Sequence, residues 1–289
     1  MPRVAPRAER HATLPPVDPQ RFTPTRERPV RAKARHLEPD TEILPHSHAW
    51  AQTVFCASGV ARITAGHHTY LVPAWRAVWI PPQVEHVVNV VEAAELRTLY
   101  IHQQPGRPGP GVARKESGAW RHCRVLEVTP LLRELVLQMN VAMDGSAPLD
   151  ARAVEREARL GELALDELRR AAPVRLGIEL PKDKRLRMLC EAVLREPSRH
   201  ATLEGWARET AASPRTVARL FRQQLDTSFG PWRQQVLLAH ALHLAAQGRP
   251  MGLIAAELGY ASPSAFSAMV RRAVGQPPSR FFAPRPAVA

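Results

Sequence analysis

The segment LPHSHAWAQTVFCASG carries the residue types best suited to chemistry in this sequence. His46 and His48 are two residues apart, and Gln52 follows four residues after His48. Alternate residues of a β-strand share one face, so these side chains and that of Trp50 would point the same way. Two imidazoles at this spacing are typical of a metal site, and His86 in the later run IPPQVEH could complete it.

This set of side chains has two interpretations, which the residues alone leave open. In the first, His46, His48 and His86 bind a divalent metal, and Gln52 adds only a dipole where a carboxylate would add charge. In the second, the three histidines, Trp50 and Gln52 form a metal-free effector pocket that binds a small molecule through hydrogen bonds. Catalytic residues are not expected, because no further acid–base constellation accompanies the set.

Short runs rich in Val, Ile, Thr and aromatic residues predict a β domain around these side chains, over residues 37–103. Six such runs, separated by Gly, Pro and polar breaks, are typical of a sandwich or a small barrel. Two helices are predicted near 130–143 and 150–171. The second helix could pack on the barrel, pair with a second subunit, or do both.

The charge of the 289-residue chain is unevenly spread. Residues 1–36 contain nine Lys and Arg, three Asp and Glu and seven prolines, which predicts a disordered basic tail. Residues 37–181 have a net charge of −2, and residues 182–289 have a net charge of +9. A basic C-terminal third beside a nearly neutral middle indicates a nucleic-acid-binding module joined to another domain.

Two further features bear on where the protein works. No apolar run reaches the length of about 18 residues that suggests a membrane-spanning helix. The three cysteines lie far apart and form no disulfide framework, which is typical of a reducing cytosol.

The C-terminal third contains an internal repeat, formed by WARETAASPRTVARLFRQQLDTSFGPW and IAAELGYASPSAFSAMVRRAVGQPPSRFF. An offset of 49 residues aligns Ser213 and Pro214 with Ser262 and Pro263. Each copy predicts a short helix, a tight turn and a second helix that begins with a capping serine and a proline. The apolar segment GPWRQQVLLAHALHLAAQG predicts a long helix that holds the copies apart.

The second helix of each copy has the character of a recognition helix. Two such helices could enter successive major-groove segments about 34 Å apart on DNA. Arg215 and Arg219 could read guanine bidentately, whereas Arg271 and Arg272 are better placed for phosphates. The repeat and the local charge disfavour the alternative that these arginines are only solvated surface. The predicted DNA-binding residues are Arg215, Thr216, Ala218, Arg219, Ser264, Ser267, Arg271 and Arg272.

Residues 185–283 resemble the DNA-binding domain of the AraC/XylS family of transcription regulators. IAAELGYASPSAFSAMVRRAVGQPPSRF is similar to the C-terminal signature of that family. Asp226 stands where the family usually has Gly, so this turn could be strained or differently capped, and Val270 stands where Phe is usual. Upstream, H-x-H-x3-Q-x6-G followed by P-x-Q-x2-H resembles the two cupin motifs, with Gln52 in place of the usual metal-binding Glu.

The resemblance implies an α+β multidomain chain. A cupin-like β-barrel (double-stranded β-helix) would precede an all-α domain with two helix-turn-helix motifs. The expected segments are a disordered tail over 1–36, a cupin-like effector-binding and dimerisation domain over 37–172, a linker over 173–184, the DNA-binding domain over 185–283 and a tail over 284–289.

We therefore expect a cytoplasmic, nucleoid-associated transcription regulator that is not an enzyme and requires no cofactor. Its expected partners are double-stranded promoter or operator DNA, a small-molecule effector, a second copy in a homodimer and RNA polymerase, but no membrane. The run LVPAWRAVWIPPQVEHVV also resembles a subgroup of the family linked to efflux transporter genes. The alternative is a metal-dependent cupin enzyme with a helical appendage.

Overall fold

Strands dominate the first half of the chain, and helices dominate the second. The computed structural model describes residues 12–16, 19–66, 68–73, 76–113, 115–146, 149–174, 177–209 and 212–282. Within these residues the strands are β1 (Ala12–Leu14), β2 (Val30–Leu37), β3 (Thr41–His46), β4 (Ala51–Ala65), β5 (His68–Pro73), β6 (Arg76–Ile80), β7 (His86–Ile101), β8 (Arg124–Glu127), β9 (Pro173–Val174) and β10 (Gly177–Glu179).

The long strands β4 and β7 form the centre of the sheet. They pair antiparallel, and β7 also pairs with β2 and β3 while β4 also pairs with β5 and β6. Each of the two strands joins a pair of the short runs predicted from the sequence. The break within β4 is a bulge at Gly59, which has φ +70°. A Cβ at Gly59 would lie 2.1 Å from the carbonyl oxygen of Ala93, so only glycine fits.

The prediction of a disordered tail over 1–36 is wrong for most of its described part. β2 pairs with β7 from Val30 to Leu37, and β1 pairs in parallel with β3. The physical reason is that small or apolar residues alternate with basic ones in VRAKARHL. Val30 and Ala32 are buried under the neighbouring helices. Residues 1–11, 17 and 18 lie outside the described residues.

The predicted linker over 173–184 is also wrong, because most of it belongs to the folded domains. β9 pairs with β8, and β10 pairs with β5. Ile178 is buried, and the indole Nε1 of Trp232 donates to the carbonyl oxygen of Glu179 at 2.8 Å. The connection therefore adds strands to the barrel and packs against the helical domain. The predicted tail over 284–289 lies outside the described residues.

Two helices cover the outer face of the sheet, α1 (Pro130–Gln138) and α2 (Ala151–Arg170). They bury Leu132 and Leu168 in one cluster with Trp79. Gly161 brings α2 close to β2, since a Cβ there would lie 3.3 Å from the Cβ of Val30. One side of α2 therefore packs on the barrel.

The second half of the chain is helical. Its helices are α3 (Lys184–Arg195), α4 (Leu203–Glu209), α5 (Pro214–Leu225), α6 (Phe229–Ala246), α7 (Met251–Glu257), α8 (Pro263–Val274) and α9 (Pro278–Phe281). This domain packs directly on the barrel, because Val60 of β4 and Ile178 of β10 share a buried cluster with Trp232 and Val236 of α6. Among the helices within the described ranges, none is long and apolar enough to cross a membrane.

Candidate nucleic-acid interface and effector pocket

Helix α5 presents a polar face immediately after a capped N-terminus. Ser213 Oγ accepts a hydrogen bond from the backbone N–H of Thr216 (3.1 Å), and Pro214 is the first helical residue. Val217 and Phe221 are buried, which fixes the rotation of the helix about its axis. Of the predicted contact residues, Arg215, Thr216 and Arg219 are exposed and Ala218 is partly buried.

Helix α8 is built in the same way. Ser262 Oγ accepts a hydrogen bond from the backbone N–H of Ala265 (3.2 Å), and a proline again follows the cap. Phe266, Met269 and Val270 are buried beneath it, so Val270 keeps its predicted apolar role. Of the predicted contact residues, Ser264, Arg271 and Arg272 are exposed and Ser267 is partly buried.

The repeat in the sequence is therefore also a repeat in structure. Val217 and Phe266, which the 49-residue offset aligns, are both buried, and so are Trp232 and Phe281. The 18-residue helix α6 connects the two copies and spans roughly 27 Å at 1.5 Å per residue. Two exposed helices held apart by a packed helix have the form required to enter two segments of a DNA major groove.

The residues predicted to bind an effector meet inside the barrel. Gln52 lies between two histidines, with its Oε1 2.8 Å from His48 Nε2 and its Nε2 3.2 Å from His86 Nε2. The ring centroids of His46 and His86 are 4.2 Å apart. Trp50 stacks on His48 with a centroid separation of 5.3 Å. The structure thus brings all five predicted residues together.

The hydrogen bonds of the three histidines define which ring nitrogen faces the pocket. The Nδ1 atom of each lies within 3.0 Å of a main-chain carbonyl oxygen two residues away along the chain. A carbonyl oxygen only accepts, so each Nδ1 carries a proton. The Nε2 of His86 then accepts from the amide N–H of Gln52, whereas the Nε2 of His48 faces the acceptor Oε1 of Gln52. These carbonyl oxygens belong to Leu44, Trp50 and Val84.

The predicted metal site of His46, His48 and His86 is wrong for this arrangement. The part of the chain that the structure describes has no group of three or more His, Cys, Asp or Glu side chains that could hold a metal ion. The physical reason is Gln52, whose amide lies against the Nε2 atoms of His48 and His86 that a metal would need. That amide brings no negative charge to a cation.

Two cations in the same pocket were not predicted from the sequence. Lys33 and Arg35 of β2 line, together with His46 and Gln52, a cavity of about 20 Å³. Lys33 Nζ donates to the hydroxyl of Tyr100 at 2.6 Å. The alternation in VRAKARHL was the available signal for a strand that points these side chains inward. A cavity of this size has room for about one water molecule.

Burial controls the charge of this pocket. It lowers the pKa of His86 to about 3 and that of Lys33 to about 8. It also lowers the pKa of His46 and of His48. His86 is therefore neutral at pH 7, and Lys33 and Arg35 bring positive charge to the pocket.

Two family models match this chain. The model described as an AraC-like ligand binding domain matches residues 37–170, and a helix-turn-helix domain model matches residues 206–283. The first match covers most of the barrel with α1 and α2. The second covers both recognition helices. Together they bear out the cupin-like barrel followed by an all-α domain.

The chain is similar to named transcription regulators. The HTH-type transcriptional regulator NimR of Escherichia coli strain K12 is 31% identical over 238 residues, which cover 82% of this chain and 81% of that protein. The arabinose operon regulatory protein of Salmonella typhimurium is 29% identical over 116 residues, covering 39% of this chain and 41% of that protein. Among solved structures, ToxT from Vibrio cholerae aligns with 88% of this chain and 98% of its own, at 8% identity and a TM-score of 0.35.

The family matches and the similarity to NimR indicate a regulator, and the alternative of a metal-dependent cupin enzyme is not supported. The match to NimR extends over both domains, so it covers the ligand-binding and the DNA-binding parts in one alignment. The chain belongs to the AraC family of transcriptional regulators, with an N-terminal ligand-binding domain and a C-terminal helix-turn-helix domain.

Proposed function

We propose that this regulator binds operator DNA by inserting α5 and α8 into successive major-groove segments. The observation that carries the proposal is the structural repeat, in which both helices have a serine cap, a buried apolar side and an exposed polar side. Arg215 and Arg219 read bases, and Arg271 and Arg272 bind phosphates. The contact surface consists of Arg215, Thr216, Ala218, Arg219, Ser264, Ser267, Arg271 and Arg272.

A binding titration with single-base variants of the operator tests this proposal. The full chain is first footprinted on the DNA upstream of its own gene to locate one discrete site. Arg215→Ala should then cost about 1–3 kcal/mol of binding free energy and relax the preference at one or two base positions. Arg185→Ala, which removes an exposed arginine of α3, is the matched control. Equal losses for the two variants would contradict base reading by Arg215.

We also propose that the barrel cluster of His46, His48, Trp50, Gln52 and His86 binds a small polar effector. The Nε2 atoms of the three histidines, together with Lys33 and Arg35, could hydrogen-bond such a molecule. Because the cavity is only about 20 Å³, binding requires the Gln52 contacts or the segment at Pro16 to move. Binding would then shift the population of domain arrangements.

A thermal-shift screen of small polar metabolites tests the barrel pocket. An effector of this pocket should raise the melting temperature of the full chain and should fail to do so in His48→Ala. His68→Ala, which removes an exposed histidine of β5, is the matched control. A compound that stabilises His48→Ala as strongly as the unmodified chain would bind elsewhere and would count against this pocket.

A homodimer through α2 forms a further part of the proposal. Leu163 is 50% exposed, although the same helix buries Ala164 and Leu168 on the sheet. An exposed leucine on a helix that already covers the barrel suits contact with a second copy. Leu163→Glu should shift the mass measured by light scattering from dimer to monomer. A monomer in the unmodified chain would refute this part.

The cellular role completes the proposal. We place the protein in the cytoplasm on the nucleoid, where it would contact RNA polymerase and control a neighbouring efflux transporter gene. The support is membership of the family and the resemblance of LVPAWRAVWIPPQVEHVV to the transporter-linked subgroup. Genome-wide mapping of bound DNA should place the protein at a transporter promoter. Binding confined to unrelated promoters would rule out that target.

A further inference from the structure

Two cationic side chains of one strand line the small cavity inside the barrel. Lys33 and Arg35 lie two residues apart on β2, so both point to the same side of the sheet. They line the cavity of about 20 Å³ together with His46 and Gln52. Much of the remaining wall is apolar, which makes a charge at this place costly unless it is paired. The apolar lining consists of Ile43, Val54, Val88 and Leu96.

Neither cation has an acidic partner among the described residues. Lys33 Nζ donates to the hydroxyl of Tyr100 at 2.6 Å, and a hydroxyl carries no charge to neutralise the ammonium. Arg35 Nη1 is buried and has no hydrogen-bond partner within the described ranges. Arg31 of the same strand differs, because it forms an ion pair with Asp144 at 2.7 Å. The strand therefore pairs its outer arginine with an acid and leaves the two cations of the pocket without one.

The histidines of the pocket do not compensate this charge. Burial is the main cause that lowers the pKa of His46, His48 and His86, and the positive charge of Lys33 lowers each of them further. Within the part of the chain that the structure describes, no Asp or Glu acts on the pKa of these rings, of Lys33 or of Arg35. The pocket therefore has an excess of positive charge, and a bound anion would offset its cost.

We propose that the effector of the barrel pocket is a compact oxyanion, held by Lys33 and Arg35. The inference rests on the proposed effector site and adds the charge and the size of its ligand. A guanidinium can donate two parallel hydrogen bonds to two oxygens of such an ion, and the ammonium acts as a point charge. A ligand of about three or four heavy atoms suits a cavity that holds about one water molecule, because only a small shift of Gln52 or of the segment at Pro16 is then needed.

Formate and formamide test the preference for charge, because they have the same number of heavy atoms and only formate is an anion. Binding to the full chain is measured by NMR titration, from the relaxation of the formyl proton. We expect formate to bind at least tenfold more tightly than formamide. Equal binding of the two compounds, or no binding of formate, would overturn the proposal.

Variants of the two cations test where formate binds. Lys33→Met and Arg35→Gln should each weaken formate binding at least tenfold. Arg26→Gln, which removes an exposed arginine outside the cavity, is the matched control and should leave binding unchanged. Unchanged formate binding in Lys33→Met would place the anion elsewhere and would also overturn the proposal.

A double variant keeps the test valid if Lys33→Met alone fails to fold. Lys33→Met combined with Tyr100→Phe removes both partners of their hydrogen bond, so no buried hydroxyl is left unpaired. An ammonium without a counter-ion opposes folding when it is taken out of water. The ligand-free double variant should therefore melt at or above the temperature of the unmodified chain and should lose formate binding. A lower melting temperature, which would make Lys33 a structural residue, or retained formate binding would refute the proposal.

The screen of small polar metabolites separates this inference from the proposed function. Stabilisation by an effector that is lost in His48→Ala but kept in Lys33→Met would support the barrel as the effector site and refute its preference for an anion. Stabilisation lost in both variants would support both proposals. Stabilisation kept in both variants would refute the barrel site itself, and the anion site with it.

Discussion

Asp226 and Gly275 end equivalent recognition helices, 49 residues apart, and both adopt the left-handed conformation. Their φ angles are +45° and +74°. Glycine reaches this conformation without a steric cost, whereas other residues are disfavoured there and Asp is among those that tolerate it best. Asp in place of the usual Gly at position 226 therefore leaves the turn in the same conformation. The unfavourable free energy of that conformation falls on the backbone of Asp226.

Asp226→Gly should stabilise the protein. Relief of the left-handed conformation contributes about 1–2 kcal/mol, and the greater freedom of glycine in the unfolded chain removes part of it. We expect a net gain of about 0.5–1 kcal/mol in the free energy of unfolding, measured by urea denaturation. Gly275→Asp is the reverse experiment. A Cβ there meets no atom within 4 Å, so its expected loss reflects the backbone alone. The two substitutions should change the free energy of unfolding in opposite directions, and changes of the same sign would contradict the prediction.

Gly59→Ala should be far more damaging than an ordinary glycine replacement. The added Cβ would lie 2.1 Å from the carbonyl oxygen of Ala93, within the paired strands β4 and β7. Gly66→Ala is the matched control, because its φ is +61° and a Cβ there meets nothing within 4 Å. We expect about 1 kcal/mol of destabilisation for Gly66→Ala and at least about 3 kcal/mol for Gly59→Ala. Similar melting temperatures for the two would contradict the close approach.

Local signals predicted the helical domain well. The caps at Ser213 and Ser262 and the apolar positions Val217 and Phe266 depend on a few neighbouring residues, so the sequence reveals them directly. The helix-turn-helix domain is confirmed by the family match over residues 206–283. Short-range patterns of this kind need no knowledge of the rest of the chain.

Long-range pairing explains what the sequence did not reveal. Val30 pairs with Ile101, 71 residues away. No pattern in the basic, proline-rich N-terminal region predicts this pairing. The sequence therefore did not predict that Lys33 and Arg35 line the barrel pocket. The cavity between the sheet, α1 and α6 is harder still to predict, because Arg76 and His243 line it together only when the two domains pack. Sites that depend on tertiary packing leave no spacing pattern in the sequence.

Acid should destabilise the protein through its buried histidines. The pKa of His86 is about 3 in the folded chain, against an ordinary value of 6.5, because burial disfavours the charged ring. Below pH 6.5, His86 binds a proton in the unfolded chain but not in the folded chain. The free energy of unfolding therefore falls as the pH falls toward 3. Between pH 6.5 and pH 5, His86 should account for about 2 kcal/mol of the loss. Over this pH interval, the free energy of unfolding of His86→Gln should fall by about 2 kcal/mol less than that of the unmodified chain. An unchanged pH dependence would refute the role of His86.

Arg271 should contribute affinity without contributing sequence preference. It lies exposed about one turn after Ser267 on α8, where a phosphate contact is better placed than a base contact. Arg271→Ala should weaken binding about equally for operator and single-base variants. It should also reduce the slope of log affinity against log salt by about 1, because one fewer counterion is released. Ser264→Ala, on the same helix, removes no charge and should leave the slope unchanged. A salt slope in Arg271→Ala equal to that of the unmodified chain would show that Arg271 does not neutralise a phosphate.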